Sequence, residues 1–137
     1  MKTIVVGYDD TEPAQRALIR AGQLAKAFDS KVIVASVARK LVPGPHSTSL
    51  VDPADSPELH REELKHAEAL LAEQGIEAEF ELAVGDPARE ITRVGRDRDA
   101  DLVVVGTSEP NVIRRLLGQS VSGAVQRKSH RDVLIVH

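Results

Sequence analysis

The sequence predicts an α/β fold, an open doubly wound sheet of five parallel strands with helices on both faces. Three observations predict it. Runs rich in valine and isoleucine recur along the 137 residues, and they are continuous rather than alternating, as in strands covered on both faces. Segments with apolar residues at helical spacing lie between these runs. The resulting order β-α-β-α-β-α-β-α-β implies right-handed crossovers within a single domain, residues 1–137.

Five runs are predicted to be the strands of this sheet. Four are expected to be fully buried, namely 3–7 (TIVVG), 31–37 (KVIVASV), 101–106 (DLVVVG) and 132–136 (DVLIV). The fifth, 76–83 (IEAEFELA), alternates apolar and charged residues, which is typical of an edge strand.

The predicted helices begin at recognisable capping residues. The first follows Thr11 and has Pro13 in its first turn, and the second begins at Ser56–Pro57 and stops at Gly75. The third begins at Asp86–Pro87, a cap followed by proline. The last is predicted over roughly 116–127, where apolar residues again recur at helical spacing.

Composition argues against several classes of function. A formal net charge of −3 and only 2% aromatic residues argue against nucleic-acid binding. The chain has no cysteine, and its five histidines form no recognisable ligand set, so no metal site is predicted. No leader pattern precedes Thr3, and no run approaches ~20 apolar residues. We therefore expect a cytoplasmic protein that does not insert into membranes.

The expected site lies at one edge of the sheet. In doubly wound sheets ligands bind beyond the carboxyl ends of the strands, where the strand order reverses. Here that edge would be framed by residues 7–11, by the chain from Val37 onward and by the loop after Gly106. Residues 38–55 hold three prolines, a glycine and three serines or threonines, which predicts a long loop beside the same edge.

Two adjacent carboxylates, Asp9 and Asp10, leave two interpretations open. Receiver domains of phosphorelays hold Mg²⁺ with an acidic pair after the first strand. However, no strong central strand here ends in an acceptor aspartate, and no lysine and closing helix follow the last strand. The alternative is the first loop of a nucleotide site, in which Asp9 is either a ligand contact or a simple cap of the first helix.

The C-terminal third favours the nucleotide site. Gly106 ends a buried strand and would allow close approach of a ligand to the backbone, although it also suits a plain turn. Ser120 and Ser122 would bring hydroxyls and free N–H groups to a helix N-terminus, where a phosphate is stabilised, but serine is also an ordinary cap. Arg114 and Arg115 lie in the predicted loop over the phosphates, and they also fit a solvated charge pair.

At these residues the chain resembles the universal stress protein family. The family's signature after the fourth strand, G-x2-G-x9-G-[ST] followed by Val-Ser or Val-Thr, is matched in part by Gly106 and Ser120–Val121–Ser122. IVVGYDDTEPAQRAL is similar to the family's first strand, V-D-G-S turn and helix. GDPAREI followed by DADLVVVG resembles its G-D-P-A…A-D-L-I-V-V-G block, and DVLIV its last strand.

The resemblance implies a strand order 3-2-1-4-5, a homodimer through the C-terminal strand and an adenine nucleotide, whether ATP, AMP or cyclic AMP, with or without Mg²⁺. Gly7, Tyr8 and Val37 would line the adenine slot, and Asp9 would meet the ribose. Val105–Gly106 would hold the phosphates together with four residues further along, which are Gly118, Ser120, Val121 and Ser122. Asp10, where the family often has glycine, is expected to be a turn or cap residue.

The chain departs from the family's glycine motif. Counting from Gly106, the second and third glycine positions are Glu109 and Gln119, and the nearest glycine, Gly118, comes one position early. A carboxylate at Glu109 would repel a triphosphate, and Pro110 has no N–H to donate. The alternative function is therefore a nucleotide-free interaction protein whose ATP site is lost.

No catalytic motif accompanies the predicted site. The sequence contains no G-x-S-x-G elbow and no Walker A lysine. The predicted function is accordingly a stress-linked regulator without strong catalytic activity. Its loops 38–55 and 107–118 would become ordered around the nucleotide and be recognised by a partner.

Overall fold

The computed structural model of the protein describes residues 1–39, 56–108, 110–117 and 131–137. In these ranges five strands, all paired in parallel, form one sheet in the order β3-β2-β1-β4-β5. The strands are β1 (Thr3–Gly7), β2 (Lys31–Ala38), β3 (Ala78–Val84), β4 (Leu102–Gly106) and β5 (Asp132–Val136). The helices are α1 (Glu12–Phe28), α2 (Pro57–Glu73), α3 (Pro87–Asp97) and α4 (Pro110–Leu116). The predicted fold class and strand order are confirmed.

The strand order also decides against a receiver domain. Receiver-type flavodoxin-like sheets place their strands in the order 2-1-3-4-5. Here the order reverses between β1 and β4, since β1 pairs with β2 on one side and with β4 on the other. The carboxyl ends of β1, β2 and β4 therefore meet at the reversal point, where a ligand site is expected.

The predicted caps start three of the helices. The side chains of Thr11, Ser56 and Asp86 accept hydrogen bonds from the backbone N–H three residues on, at 3.3, 3.4 and 3.0 Å. Each cap is followed within two residues by proline, whose fixed φ suits the first helical turn. Local sequence therefore sets where α1, α2 and α3 begin.

Two apolar clusters cover the two faces of the sheet. Alternate residues of each strand point to opposite faces, so Val6 and Val104 join α1 and α2, whereas Val5 and Val103 join α3 and α4. In the first cluster Leu18 of α1 is completely buried. We call these the α1–α2 face and the α3–α4 face.

One expectation for the C-terminal third was wrong. Arg114 and Arg115, predicted in a loop, lie in α4, because Val112, Ile113 and Leu116 form an apolar stripe that packs on the α3–α4 face. Pro110, which has no N–H to donate, begins this helix. The helix predicted over 116–127 lies, beyond its first two residues, outside the described residues.

β5 is only half-buried, contrary to the expected full burial. Asp132 is exposed and the next four residues are of intermediate exposure. The reason is its place at the edge of the sheet, where it has a single neighbour, β4. β3, predicted to be an edge strand, occupies the opposite edge.

Within the described ranges, no helix has the length and apolar character needed to cross a bilayer.

Candidate functional site

A cleft of about 270 Å³ opens where the central strands end, and we call it the inner cleft. All the predicted site residues that the structure describes line it: Gly7, Tyr8, Asp9, Val37, Val105 and Gly106. They come from three separate segments of the chain, which the parallel sheet brings together at its carboxyl edge. The other four, Gly118, Ser120, Val121 and Ser122, lie outside the described residues.

Asp9 has both a structural contact and a place in the inner cleft. Its Oδ1 accepts hydrogen bonds from the N–H and hydroxyl of Thr11, at 3.3 and 2.7 Å. Its Oδ2 accepts one from the Ser108 hydroxyl at 3.1 Å, which joins the loop after β1 to the loop after β4. A carboxylate has about four acceptor sites, so Asp9 retains capacity to accept hydrogen bonds from a ligand.

Asp10 turns away from the inner cleft and holds a different network. Its φ of 58° lies in the left-handed region, which explains why glycine suits this turn position and confirms the expected role. Asp10 Oδ1 accepts hydrogen bonds from Tyr8 Oη (2.6 Å), His66 Nδ1 (2.6 Å) and Gln15 Nε2 (3.2 Å). The network joins the loop after β1 to α1 and α2.

This network changes the acid–base properties of two groups. Burial, followed by the hydrogen bond to Asp10, raises the pKa of the Tyr8 phenol far above its ordinary value, so Tyr8 stays a neutral donor. Burial alone would raise the pKa of Asp10. The hydrogen bonds from Tyr8, His66 and Gln15 outweigh it and hold the pKa of the Asp10 carboxyl below its usual value of 3.8.

The two strand-end glycines face opposite sides of the sheet. A Cβ on Gly106 would lie 2.5 Å from the backbone carbon of Pro13 and 2.7 Å from the nitrogen of Ala14. The structure therefore gives a reason for Gly106 that the sequence did not reveal, the close approach of the first turn of α1. A Cβ on Gly7 would instead meet the tip of the Ile91 side chain at 2.8 Å, on the α3–α4 face.

A buried polar pair lies in the wall of the inner cleft. Ser36 Oγ, fully buried, is hydrogen-bonded to His60 Nδ1 at 2.6 Å, and Glu63 Oε2 lies 3.0 Å from the same ring nitrogen. A serine–histidine–acid triad needs its nucleophile and its acid on different ring nitrogens. These three side chains are thus not arranged as a hydrolase triad.

Sequence reasoning missed several lining residues: Arg39, His60, Glu63, Ile91 and Ser108. A signal for His60 was present, since it continues the buried stripe Leu64, Ala67 and Leu71 of α2 at helical spacing. Arg39 and Ser108 are each two residues or fewer beyond a strand end, which is where site residues lie in this topology.

A second, more open cleft of about 580 Å³ adjoins the first, and we call it the outer cleft. Arg39, Pro87, Ser108 and Val112 line both clefts, so the two are adjacent. The outer cleft also includes Asp86 and Arg115, which form an ion pair through Asp86 Oδ1 and Arg115 Nη1. Asp86 Oδ2 caps α3 at the same time.

No group of three or more His, Asp or Glu side chains suited to a metal ion occurs among the residues described. The described ranges build a half-apolar inner cleft whose lining includes two carboxylates, Asp9 and Glu63, and Arg39.

Comparison with known proteins identifies the family. The model of the "Universal stress protein family" matches residues 1–137. The chain belongs to this family. The universal stress protein Rv1636 of Mycobacterium tuberculosis is 34% identical over 145 residues, which cover 99% of this chain and 96% of that protein. Universal stress protein MJ0531 of Methanocaldococcus jannaschii is 31% identical over 143 residues, with 98% and 81% covered.

Solved structures of the family agree with this one in fold. A universal stress protein in complex with cAMP is 30% identical with a TM-score of 0.71, over 99% of this chain and 97% of that one. A universal stress protein from Archaeoglobus fulgidus in complex with dAMP is 23% identical with a TM-score of 0.76, over 100% and 98%. The second comparison bears on the fold alone.

Proposed function

We propose that this universal stress protein binds an adenine nucleotide in the inner cleft and acts as a stress-linked regulator without strong catalytic activity. The observation that carries the proposal is the convergence of six predicted contact residues, from three segments, on one cleft. A family member that is 30% identical along nearly the whole chain was solved in complex with cAMP, which supports the same class of ligand.

The chemistry of the inner cleft suits the nucleoside part of such a ligand. Val37, Ile91 and Val105 provide apolar walls for the flat base. Asp9 provides a carboxylate that accepts hydrogen bonds from ribose hydroxyls. The cleft, at about 270 Å³, is slightly below the ~300 Å³ at which ligand pockets usually begin, so phosphates would extend beyond it.

The identity of the nucleotide is part of the proposal. ATP, AMP and cyclic AMP share the nucleoside that the inner cleft fits, and Gly106, Gly118 and Ser120–Val121–Ser122 remain the phosphate contacts implied by the family motif. Mg²⁺ would accompany a polyphosphate through its oxygens. Mass spectrometry of the small molecule released from gently purified protein identifies the nucleotide directly.

Two adjacent carboxylates offer a matched test of the site. Asp9→Asn replaces an acceptor in the inner cleft with an amide, and we expect about tenfold weaker binding of adenosine and AMP, since one hydrogen bond to a charged group is lost. Asp10→Asn makes the same change one residue on, outside the cleft, and is expected to leave affinity unchanged. Isothermal titration calorimetry measures both.

The competing function is a nucleotide-free interaction protein. Its support is the motif itself, with Glu109 and Gln119 at glycine positions. Absence of any co-purified nucleotide, together with no heat on titration of adenosine, AMP and ATP with Mg²⁺, would refute nucleotide binding and favour that alternative. Equal effects of Asp9→Asn and Asp10→Asn would also count against a site in the inner cleft.

The regulatory step and the lack of catalysis have their own tests. Nucleotide is expected to protect the segments 38–55 and 107–118 from limited proteolysis, and equal cleavage with and without it would refute that mechanism. Incubation with ATP and Mg²⁺ is expected to yield no ADP or AMP on the timescale of binding, as measured by chromatography.

The proposal includes a cytoplasmic homodimer. β5 is a half-buried edge strand with Val133, Leu134, Ile135 and Val136 in sequence, and an unprotected apolar edge invites pairing with a second copy. Light scattering is expected to show twice the chain mass, and Ile135→Lys should yield the monomer. Cell fractionation tests the location.

A further inference from the structure

Protein donors already occupy most of the Asp9 carboxylate in the inner cleft. Among the described residues, its Oδ1 accepts hydrogen bonds from the N–H and the hydroxyl of Thr11, and its Oδ2 accepts one from the Ser108 hydroxyl at 3.1 Å. Each oxygen of a carboxylate has about two acceptor sites. Oδ1 is therefore filled, and Oδ2 can accept at most one further hydrogen bond while Ser108 keeps its place.

The two hydrogen bonds to Oδ1 belong to the start of α1. The Thr11 hydroxyl that donates to Asp9 at 2.7 Å also accepts the hydrogen bond from the Ala14 N–H that caps the helix. A ligand that displaced Thr11 from Oδ1 would leave both Thr11 donors without their acceptor, which costs more than one ligand hydrogen bond returns. A ligand hydroxyl therefore meets Oδ2, and a ribose diol cannot bind one hydroxyl to each carboxylate oxygen.

Ser108 is held beside Asp9 by the backbone on both sides of it. The N–H of Thr107 donates to the carbonyl of Val136 at the end of β5, at 3.1 Å. Pro110 begins α4 two residues after Ser108. Because Ser108 lies between these two fixed points, its hydroxyl is preorganised for Asp9 and does not have to be ordered when a ligand binds.

We infer that Ser108 is a specificity-determining residue for the sugar, because it limits Asp9 to one ribose hydroxyl. The inference rests on the proposed nucleotide function and deepens it. A ribose with two free hydroxyls places one of them on Oδ2. Its second hydroxyl gains a hydrogen bond there only if Ser108 gives up its own, and one bond exchanged for another gains almost nothing. A sugar whose second hydroxyl is absent or esterified therefore binds as well as one with a free 2′,3′-diol.

Three nucleosides without phosphate test this limit on the wild-type protein. Adenosine, 2′-deoxyadenosine and 3′-deoxyadenosine differ only in their ribose hydroxyls, so contacts to phosphate have no part in the comparison. Removal of the hydroxyl that Asp9 holds should weaken binding about tenfold, the loss of one hydrogen bond to a charged acceptor. Removal of the other hydroxyl should weaken it by less than about twofold, since that hydroxyl has no acceptor site on Asp9. Isothermal titration calorimetry gives the three affinities.

Ser108→Ala opens the second acceptor site on Oδ2. Both ribose hydroxyls can then donate to it, so each deoxyadenosine should bind about tenfold more weakly than adenosine does. Ser108→Thr keeps a hydroxyl at this position and should keep the wild-type pattern. Thr107→Val is the matched control, because it removes a hydroxyl one residue away, and Thr107 is not among the described residues that line either cleft. It should also keep the wild-type pattern.

The outcomes separate this inference from the proposed function. If adenosine binds but both hydroxyls, or neither, contribute about tenfold in the wild-type protein, Ser108 does not limit Asp9 and the inference is refuted, while nucleoside binding stands. An unchanged pattern in Ser108→Ala, or an equal change in Thr107→Val, refutes it as well. If no nucleoside or nucleotide binds the wild-type protein, the proposed function fails and this inference fails with it.

Discussion

The two faces of the sheet end differently at the site edge. On the α1–α2 face the strand ends are closed, since Gly106 packs against the backbone of Pro13 and the Tyr8 phenol is tied to Asp10. On the α3–α4 face they are open, since a Cβ on Gly7 would meet side-chain atoms of Ile91 and Val105 rather than backbone. Residues of both faces line the inner cleft, but the strand end packs against backbone on the α1–α2 face and against side chains on the α3–α4 face.

The ends of β1 and β4 show how neighbouring residues in the chain contribute to different faces of the sheet. Successive residues of a strand point to opposite faces, so Gly7 and Tyr8, or Val105 and Gly106, contribute to different faces. The same division separates the adjacent carboxylates: Asp9 lines the cleft, and Asp10 holds α1 and α2. Residue type alone therefore does not indicate which purpose a glycine or an aspartate serves.

The largest expected loss of stability comes from adding a side chain at Gly106, on the closed α1–α2 face. Gly106→Ala places a methyl group against backbone that cannot move aside, and we expect unfolding free energy to fall by about 3 kcal/mol. Gly7→Ala meets a flexible side-chain end and should cost about 1 kcal/mol. Urea denaturation of both variants measures the difference, and equal losses would contradict the division between faces.

Removal of the buried hydroxyl of Ser36 is expected to have the next effect. Ser36→Ala deletes the 2.6 Å hydrogen bond between β2 and His60 of α2, with an expected loss of about 1–2 kcal/mol in unfolding free energy. Ser30→Ala is the matched control, because its hydroxyl bonds the Met1 carbonyl at an exposed position and should contribute about 0.5 kcal/mol or less. Thermal denaturation compares them.

The Asp10 network predicts a pH dependence of stability. Because the pKa of Asp10 in the folded protein lies below 3.8, its contribution is complete above that pH and is lost as pH falls through the folded value. At neutral pH, Asp10→Asn is expected to cost at most about 1 kcal/mol, since the carboxylate is about one-third exposed. Asparagine tolerates the left-handed turn. The unfolding free energies of wild type and variant should converge at strongly acidic pH. A difference between them that stays constant with pH would refute the lowered pKa of Asp10.

The smallest expected loss of stability comes from a change at Asp86, on the open α3–α4 face. Asp86→Asn keeps the cap of α3 and removes only a partly exposed ion pair, so unfolding free energy should change by less than about 0.5 kcal/mol. A loss comparable with that of Ser36→Ala would show that the open face also anchors the fold.

Local patterns predicted most of the architecture. The bounds of β1 and β5 and the caps Thr11, Ser56 and Asp86 follow the prediction, because continuous apolar runs and capping residues act over a few residues. The apolar stripe of α4 was also present in the sequence, within the segment 107–118 that was predicted to be a loop.

The α/β class, the family and the segments that line the inner cleft follow from the sequence alone, since buried strands, caps and motif order are local properties of the chain. The folded structure was needed to show that Gly106 serves helix packing, that Asp9 and Asp10 face different neighbours, and that Arg115 reaches Asp86. Each of these is a contact between residues distant in sequence. Whether two such residues meet depends on how the strands are ordered and which face each residue takes, and no local pattern contains that information.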